Sequence, residues 1–162
     1  MMDHPLRTPD EILAYRSLRE ILRDKTGKVW SVAPSDSVLS ALQTMTSKNI
    51  GFVPVLEGQK LVGVLSERDC ARRAAVPGKP LDATPVADIM VRNVITIDFT
   101  HKFADCLRLM HDHRIRHLPV IENGAVVAVL SIRDLLSEAV AHHSKIIREL
   151  ERERMQMLTS TV

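Results

Sequence analysis

Aromatic side chains are scarce in this 162-residue chain, which has one Trp, one Tyr and three Phe, so its core must be built from aliphatic residues. Cysteine is just as scarce. Cys70 and Cys106 stand outside any CxxC spacing, which leaves a disulfide framework or cysteine metal site unsupported and two buried or half-buried thiols expected in helices. Charge of one sign is also lacking. A formal net charge of +2 with pI near 8.7 is too mild and too evenly mixed to track a nucleic-acid backbone, though it leaves room for a basic cleft suited to a small anion. No apolar run approaches the roughly 20 residues that span a bilayer, and the opening MMDHPLRTPDE has neither the basic nor the apolar stretch of a secretion signal. A cytoplasmic protein without a membrane partner is expected. There is no G-x-S-x-G elbow, H-E-x-x-H, Walker loop or G-x-G-x-x-G, so an enzyme is not expected. His111, His113 and His117 lie close in sequence, but i and i+2 diverge on a helix and His117 opens a strand, so no metal site is read there.

What is present is a duplication. Residues 31–71 set over 96–136, an offset of 65, match at 12 of 41 positions without a gap, among them Met45/Met110, Pro54/Pro119, Ser66/Ser131, Arg68/Arg133 and Asp69/Asp134. A repeated unit that cannot bury its apolar face alone packs against its twin, so a site is expected at the seam.

Each repeat reads as strand, helix, strand, strand, helix. In the first, 29–33 forms a strand, Pro34 to Ser37 cap a helix carrying Val38, Leu39, Leu42 and Met45, 52–56 and 61–65 form a hairpin, and 66–75 a closing helix. The second copies this with 94–98, 103–113, 117–121, the tight turn Asn123-Gly124, 126–130 and a helix from Ser131. Thr8, Pro9, Asp10 and Glu11 signal the start of an amphipathic arm that continues through Leu18, Ile21 and Leu22 to Gly27. A charged helix from Leu135 to about Leu158 closes the chain, with interleaved charges on one face and an apolar edge through Ile146, Ile147 and Leu150. The expected organisation is an arm over 1–27, repeats over 28–76 and 92–137, a Pro- and Gly-rich connector over 77–91, and the terminal helix over 138–162.

The segments IGFVPVLEGQKLVGVLSERD and IRHLPVIENGAVVAVLSIRD resemble the two halves of a tandem CBS-domain pair, or Bateman module, of the stand-alone bacterial kind. The resemblance covers Val29 to about Leu136. It implies an α+β fold of two β-α-β-β-α repeats with pseudo-two-fold symmetry, usually dimeric, that binds adenosine nucleotides in clefts between the repeats. Carried over by motif, the first cleft uses Ser66, Arg68 and Asp69 with Val94, Ile95, Thr96, Ile115, Arg116 and His117. The second uses Ser131, Arg133 and Asp134 with Val29, Trp30, Ser31, Ile50, Gly51 and Phe52.

The chemistry of these residues suits that role. An aspartate at a helix start accepts hydrogen bonds from both hydroxyls of a ribose, and the neighbouring serine and helix N-terminus favour phosphate. A plain helix cap is the other use of the same Ser-x-x-Asp. Arg116 and His117 mark the first cleft for a phosphorylated ligand, AMP foremost, with ATP, ADP or NAD as alternatives, whereas the second has uncharged Gly51 and Phe52 at those two positions. Trp30 either stacks on a purine or packs in the core. Ala128, where the first repeat has Gly63, is expected to crowd the second cleft. The functional expectation is a ligand-sensing regulatory module, homodimeric, acting on an unidentified partner protein. A scaffold that works through its terminal helices without a ligand is the alternative.

Overall fold

The computed structural model describes residues 14–159, and within them each repeat is an antiparallel hairpin flanked by a helix on either side. The expected helix start at Thr8 and Pro9 lies outside the described residues. Helix α1 (Leu18–Ile21) begins at Ser17, whose hydroxyl accepts the Glu20 N–H while the Glu20 carboxylate returns to the Ser17 N–H. Because Ser17 is extended (ψ 153°), the arm is not one helix through to Gly27; a turn follows α1 and ends at Gly27 (φ +79°).

Repeat one contains α2 (Val38–Lys48), β1 (Phe52–Glu57), β2 (Lys60–Ser66) and α3 (Glu67–Cys70). Ser37 caps α2 by accepting the Ser40 N–H, and Val38, Ala41 and Met45 form its buried face at helical spacing. Beyond α3 the chain widens into a π-helical turn over Ala71–Ala75 where a uniform α-helix was expected. A 3₁₀ turn over Val86–Asp88 leads into repeat two, made of α4 (Phe103–His113), β3 (His117–Glu122), β4 (Ala125–Ser131) and α5 (Ile132–Thr159). Asn123 and Gly124 both have positive φ, as a two-residue turn of the I′ type needs. The duplication extends to irregularities: the register shifts after Val55 in one hairpin and after Val120, its counterpart, in the other.

The expected first strands are reduced to single parallel bridges, Val32 with Val55 and Ile97 with Val120. Proline explains the first case. Val32 N–H donates to Pro54 O and Val32 O accepts from Leu56, but extending that ladder in either direction calls for an N–H from Pro54 or from Pro34, and neither has one. Pro119 blocks the corresponding extension toward the N-terminal side in repeat two.

Two hydrophobic cores form, and each is completed by the segment that leads into the other repeat. Leu18 and Leu22 of the arm, both fully buried, belong to the second core, whereas Val86, Ile89 and Met90 of the connector belong to the first. Burying a Leu contributes about 1.5–3 kcal/mol, so this exchange fastens the halves. Backbone bonds reinforce it: Gly27 N–H to Val127 O at 2.8 Å, and Val64 and Val91 paired reciprocally at 2.9 Å. Gly63 suits this close approach, because a Cβ would lie 2.6 Å from Met90 Sδ and 3.1 Å from Val91 O, so the connector would have to shift. Its counterpart Ala128 is fully buried in the second core, so the Gly-to-Ala difference concerns packing of the connector and does not crowd a ligand as expected.

Helix α5 is 28 residues long, or about 42 Å at 1.5 Å per residue, and runs on without a break from the closing helix of repeat two. Its first turns bury Leu135 and Glu138. Glu138 is 3% exposed and receives Arg16 through Nε (2.8 Å), Nη2 (2.5 Å) and the backbone N–H (3.1 Å), which ties the arm to α5. Burial by itself would raise this carboxyl, but the Arg16 hydrogen bonds and charge together bring it below the usual range. Among the described residues no helix is long and apolar enough to cross a membrane.

Candidate functional site

The hairpins meet at β2 and β4, with the Phe52 and His117 rings stacked at 4.7 Å and 14° across the seam. Beside that stack lies a single cleft of about 1150 Å³ that takes in most of both expected sites. Ser66, Arg68, Asp69, Val94, Ile95, Ile115, Arg116 and His117 line it from the first set, and Val29, Trp30, Ile50, Gly51, Phe52, Ser131, Arg133 and Asp134 from the second. Thr96 and Ser31 do not. Their neighbours Ile97 and Val32 are buried in the two cores, and in extended chain the adjacent side chain points the opposite way, so both are exposed away from the cleft.

Asp69 and Asp134 are held identically at the starts of α3 and α5. Asp69 Oδ2 accepts the Ser66 N–H (3.0 Å) and hydroxyl (2.5 Å), while the Asp69 N–H returns to Ser66 Oγ (3.2 Å). Asp134 Oδ2 accepts the Ser131 N–H (2.7 Å) and hydroxyl (2.6 Å), with its N–H returning at 3.3 Å. Cap and ligand contact thus need not compete, since each box engages Oδ2 and leaves Oδ1 outside it. The serine hydroxyls, by contrast, are committed to the caps. The first N–H of α3 goes to Gly51 O and that of α5 to Arg116 O, so these helix starts offer less to an anion than expected.

Electrostatics correct the expected contrast between the halves. His117 brings no positive charge to the ligand-free cleft: burial, then the charges of Arg116 and Lys25, push it down to about 4, so the stacked ring is neutral at pH 7. The second half, in turn, has bases besides Arg133. Lys25 of the arm and Lys28 at the junction with the first repeat reach the lining, and the Lys25 ammonium lies 2.7 Å from Asp134 Oδ2. Sequence reasoning missed them because the arm lies outside the repeat and its docking on repeat two leaves no local signal. In all, eight basic side chains face four acidic ones around the cleft, far from even for a chain whose net charge is +2. Trp30 is 49% exposed, with Lys48 Nζ 3.9 Å over its ring, so it is not a core residue. Cys70 and Cys106 are buried, and burial, followed by the charges of Asp69 and Asp105 respectively, raises each thiol to about 11.

Two like halves that exchange their lead segments and share one basic cleft define a tandem-repeat module. The chain belongs to the CBS-domain family, whose domain model matches residues 18–75 and 86–141. The CBS domain-containing protein CBSX3, mitochondrial, of Arabidopsis thaliana is 35% identical over 120 residues, which cover 71% of this chain and 58% of that protein. The chain thus spans little more than half the length of this relative. The CBS domain-containing protein YhcV of Bacillus subtilis is 29% identical, with 74% of this chain and 84% of that protein covered. Among solved structures, the CBS domain NE2398 is 39% identical with a TM-score of 0.73, over 77% of this chain and 98% of that one.

Proposed function

We propose that this CBS pair senses an adenosine nucleotide in the cleft between its repeats, AMP foremost, with ADP, ATP and NAD sharing the chemistry it offers. The observation that carries this reading is the pairing of two rigidly capped aspartates with a surplus of basic side chains in one cleft. A capped carboxylate is preorganised for a ribose diol, and arginines such as Arg116 and Arg68 suit phosphate through their planar fork. A ligand spanning both repeats favours the arrangement it fits best and shifts the population by its differential affinity. The output is an unidentified partner protein reached through α5 or the arm, which are joined directly to the cleft walls.

A second reading, assembly as a homodimer or scaffold, is favoured by one observation. Leu136, Val140, Ile147 and Leu150, spaced four, seven and three apart, are all more than half exposed along one side of α5. That spacing is the seam of a heptad, and a second copy of the chain is the occupant that matches it. Sensing and dimerisation are compatible. Thermal melting with AMP, ATP and NAD separates the sensor from a pure scaffold. Nucleotide at 100 times Kd stabilises by about 2.7 kcal/mol, which moves the midpoint by several degrees. No shift with any of the three at millimolar concentration rejects sensing.

A further inference from the structure

We infer that Lys25 is a latch on the second half of the cleft: it holds Asp134 in the free protein, is displaced by a ribose, and then serves the ligand's phosphate. The inference rests on the nucleotide reading above and adds the residue that governs access and charge preference in one half.

Lys25 Nζ lies 2.7 Å from Asp134 Oδ2, the oxygen that already takes both cap bonds, so a ribose diol that spans both carboxylate oxygens meets the ammonium at Oδ2. The lysine is delivered from a fixed point and not from a loose tail, because Leu22 is fully buried in the second core, Lys25 N–H donates to Leu22 O at 2.8 Å and Gly27 N–H to Val127 O at 2.8 Å. The duplication supplies an internal control. Sixty-five positions after Lys25 stands Met90, which is 5% exposed in the first core beside Gly63, so Asp69 meets no lysine and has only Arg73 Nε at 3.9 Å from Oδ1. Two otherwise matching aspartates therefore differ in their resident cation, a lysine of the arm at 2.7 Å from Asp134 and an arginine one helical turn on at 3.9 Å from Asp69.

The Lys25 side chain is 47% exposed and that of Asp134 17%. An ion pair that open to water is worth about 0–1 kcal/mol, so it masks the carboxylate by no more than about fivefold and yields to a ligand. The ammonium sits on a four-carbon stem with three donors, and it can swing from carboxylate to phosphate while its backbone stays in place. An uncharged nucleoside must displace Lys25 with nothing in return, whereas a nucleotide gives it a new partner.

The test is calorimetric titration of adenosine and of AMP into protein carrying Asp69→Ala, which isolates the second half, alone and combined with Lys25→Met or Lys25→Arg. With Lys25→Met, adenosine is expected to bind about three to five times more tightly and AMP more weakly. Lys25→Arg is expected to keep both affinities near those of the Asp69→Ala protein and shows that the charge matters. If the two ligands move in the same direction, or neither moves, the latch is overturned. Absence of binding in every Asp69→Ala protein overturns it as well. In that case AMP binding by the unmodified chain leaves the nucleotide reading standing, and no binding there removes both.

Discussion

At the residue scale His117 is the group whose role changed most between sequence and structure. Beside Arg116 it reads as a phosphate base, yet its ring is stacked on Phe52 and its proton affinity is lowered to about 4 from an ordinary 6.5. Nothing in the order of residues announces that partner, because Phe52 belongs to the other repeat. The consequence for stability has a definite sign. Above pH 6.5 the ring is neutral in folded and unfolded chains alike and the contribution is complete; as pH falls toward 4 the unfolded chain takes the proton first and stability is lost. His117→Phe keeps an aromatic stack and removes the titration. Its urea midpoint is expected to change less between pH 7.5 and 5 than that of the unmodified protein, and an equal change in both proteins contradicts the assignment. Asp69 and Asp134 were legible in the sequence, since Ser-x-x-Asp after an apolar run marks both a cap and a carboxylate at a helix start, and the structure places both caps in one cleft.

At the element scale, helices and hairpins read well because period and turn chemistry agree within each segment. The helix over 103–113 and the Asn123-Gly124 turn are found where the pattern puts them. The short first strands were not legible, since a single parallel bridge needs only one residue of extended chain and Pro54 and Pro34 forbid more. The matching helices α2 and α4 each end in a left-handed residue, Asn49 in one and Arg114 in the other, the latter at φ 54°. Asparagine tolerates that conformation better than arginine, so Arg114→Asn is expected to stabilise the fold by about 0.5–1 kcal/mol in urea unfolding. For α5, the exposed seam predicts that the unmodified chain scatters light as a dimer and that Ile147→Glu with Leu150→Glu gives a monomer, with AMP binding retained. A dimer that survives both substitutions places the contact elsewhere.

At the scale of the whole molecule, the duplication was visible from the first alignment of the chain on itself, and with it the fold and the seam. The exchange of lead segments was not. Leu18 and Leu22 carry the pattern of any amphipathic turn, and no local signal says that their core is built from Ile97 to Leu135, far along the chain. That exchange predicts one cooperative unit. Leu18→Ala, a distant change by sequence, is expected to cost about 2–5 kcal/mol and to lower the unfolding midpoint of both repeats together. The same exchange brings Lys25 to Asp134 and leaves Asp69 without a lysine, so the halves of the cleft are alike in frame and unlike in access.

The central claim, that a capped aspartate in this basic cleft binds adenosine nucleotides, is tested most directly by isothermal titration of AMP, ATP and NAD into the unmodified protein and into Asp69→Ala and Asp134→Ala. Micromolar binding that is largely lost with Asp69→Ala and reduced less with Asp134→Ala is the predicted result. Binding that survives both substitutions, or no binding of any of the three by the unmodified protein, contradicts it.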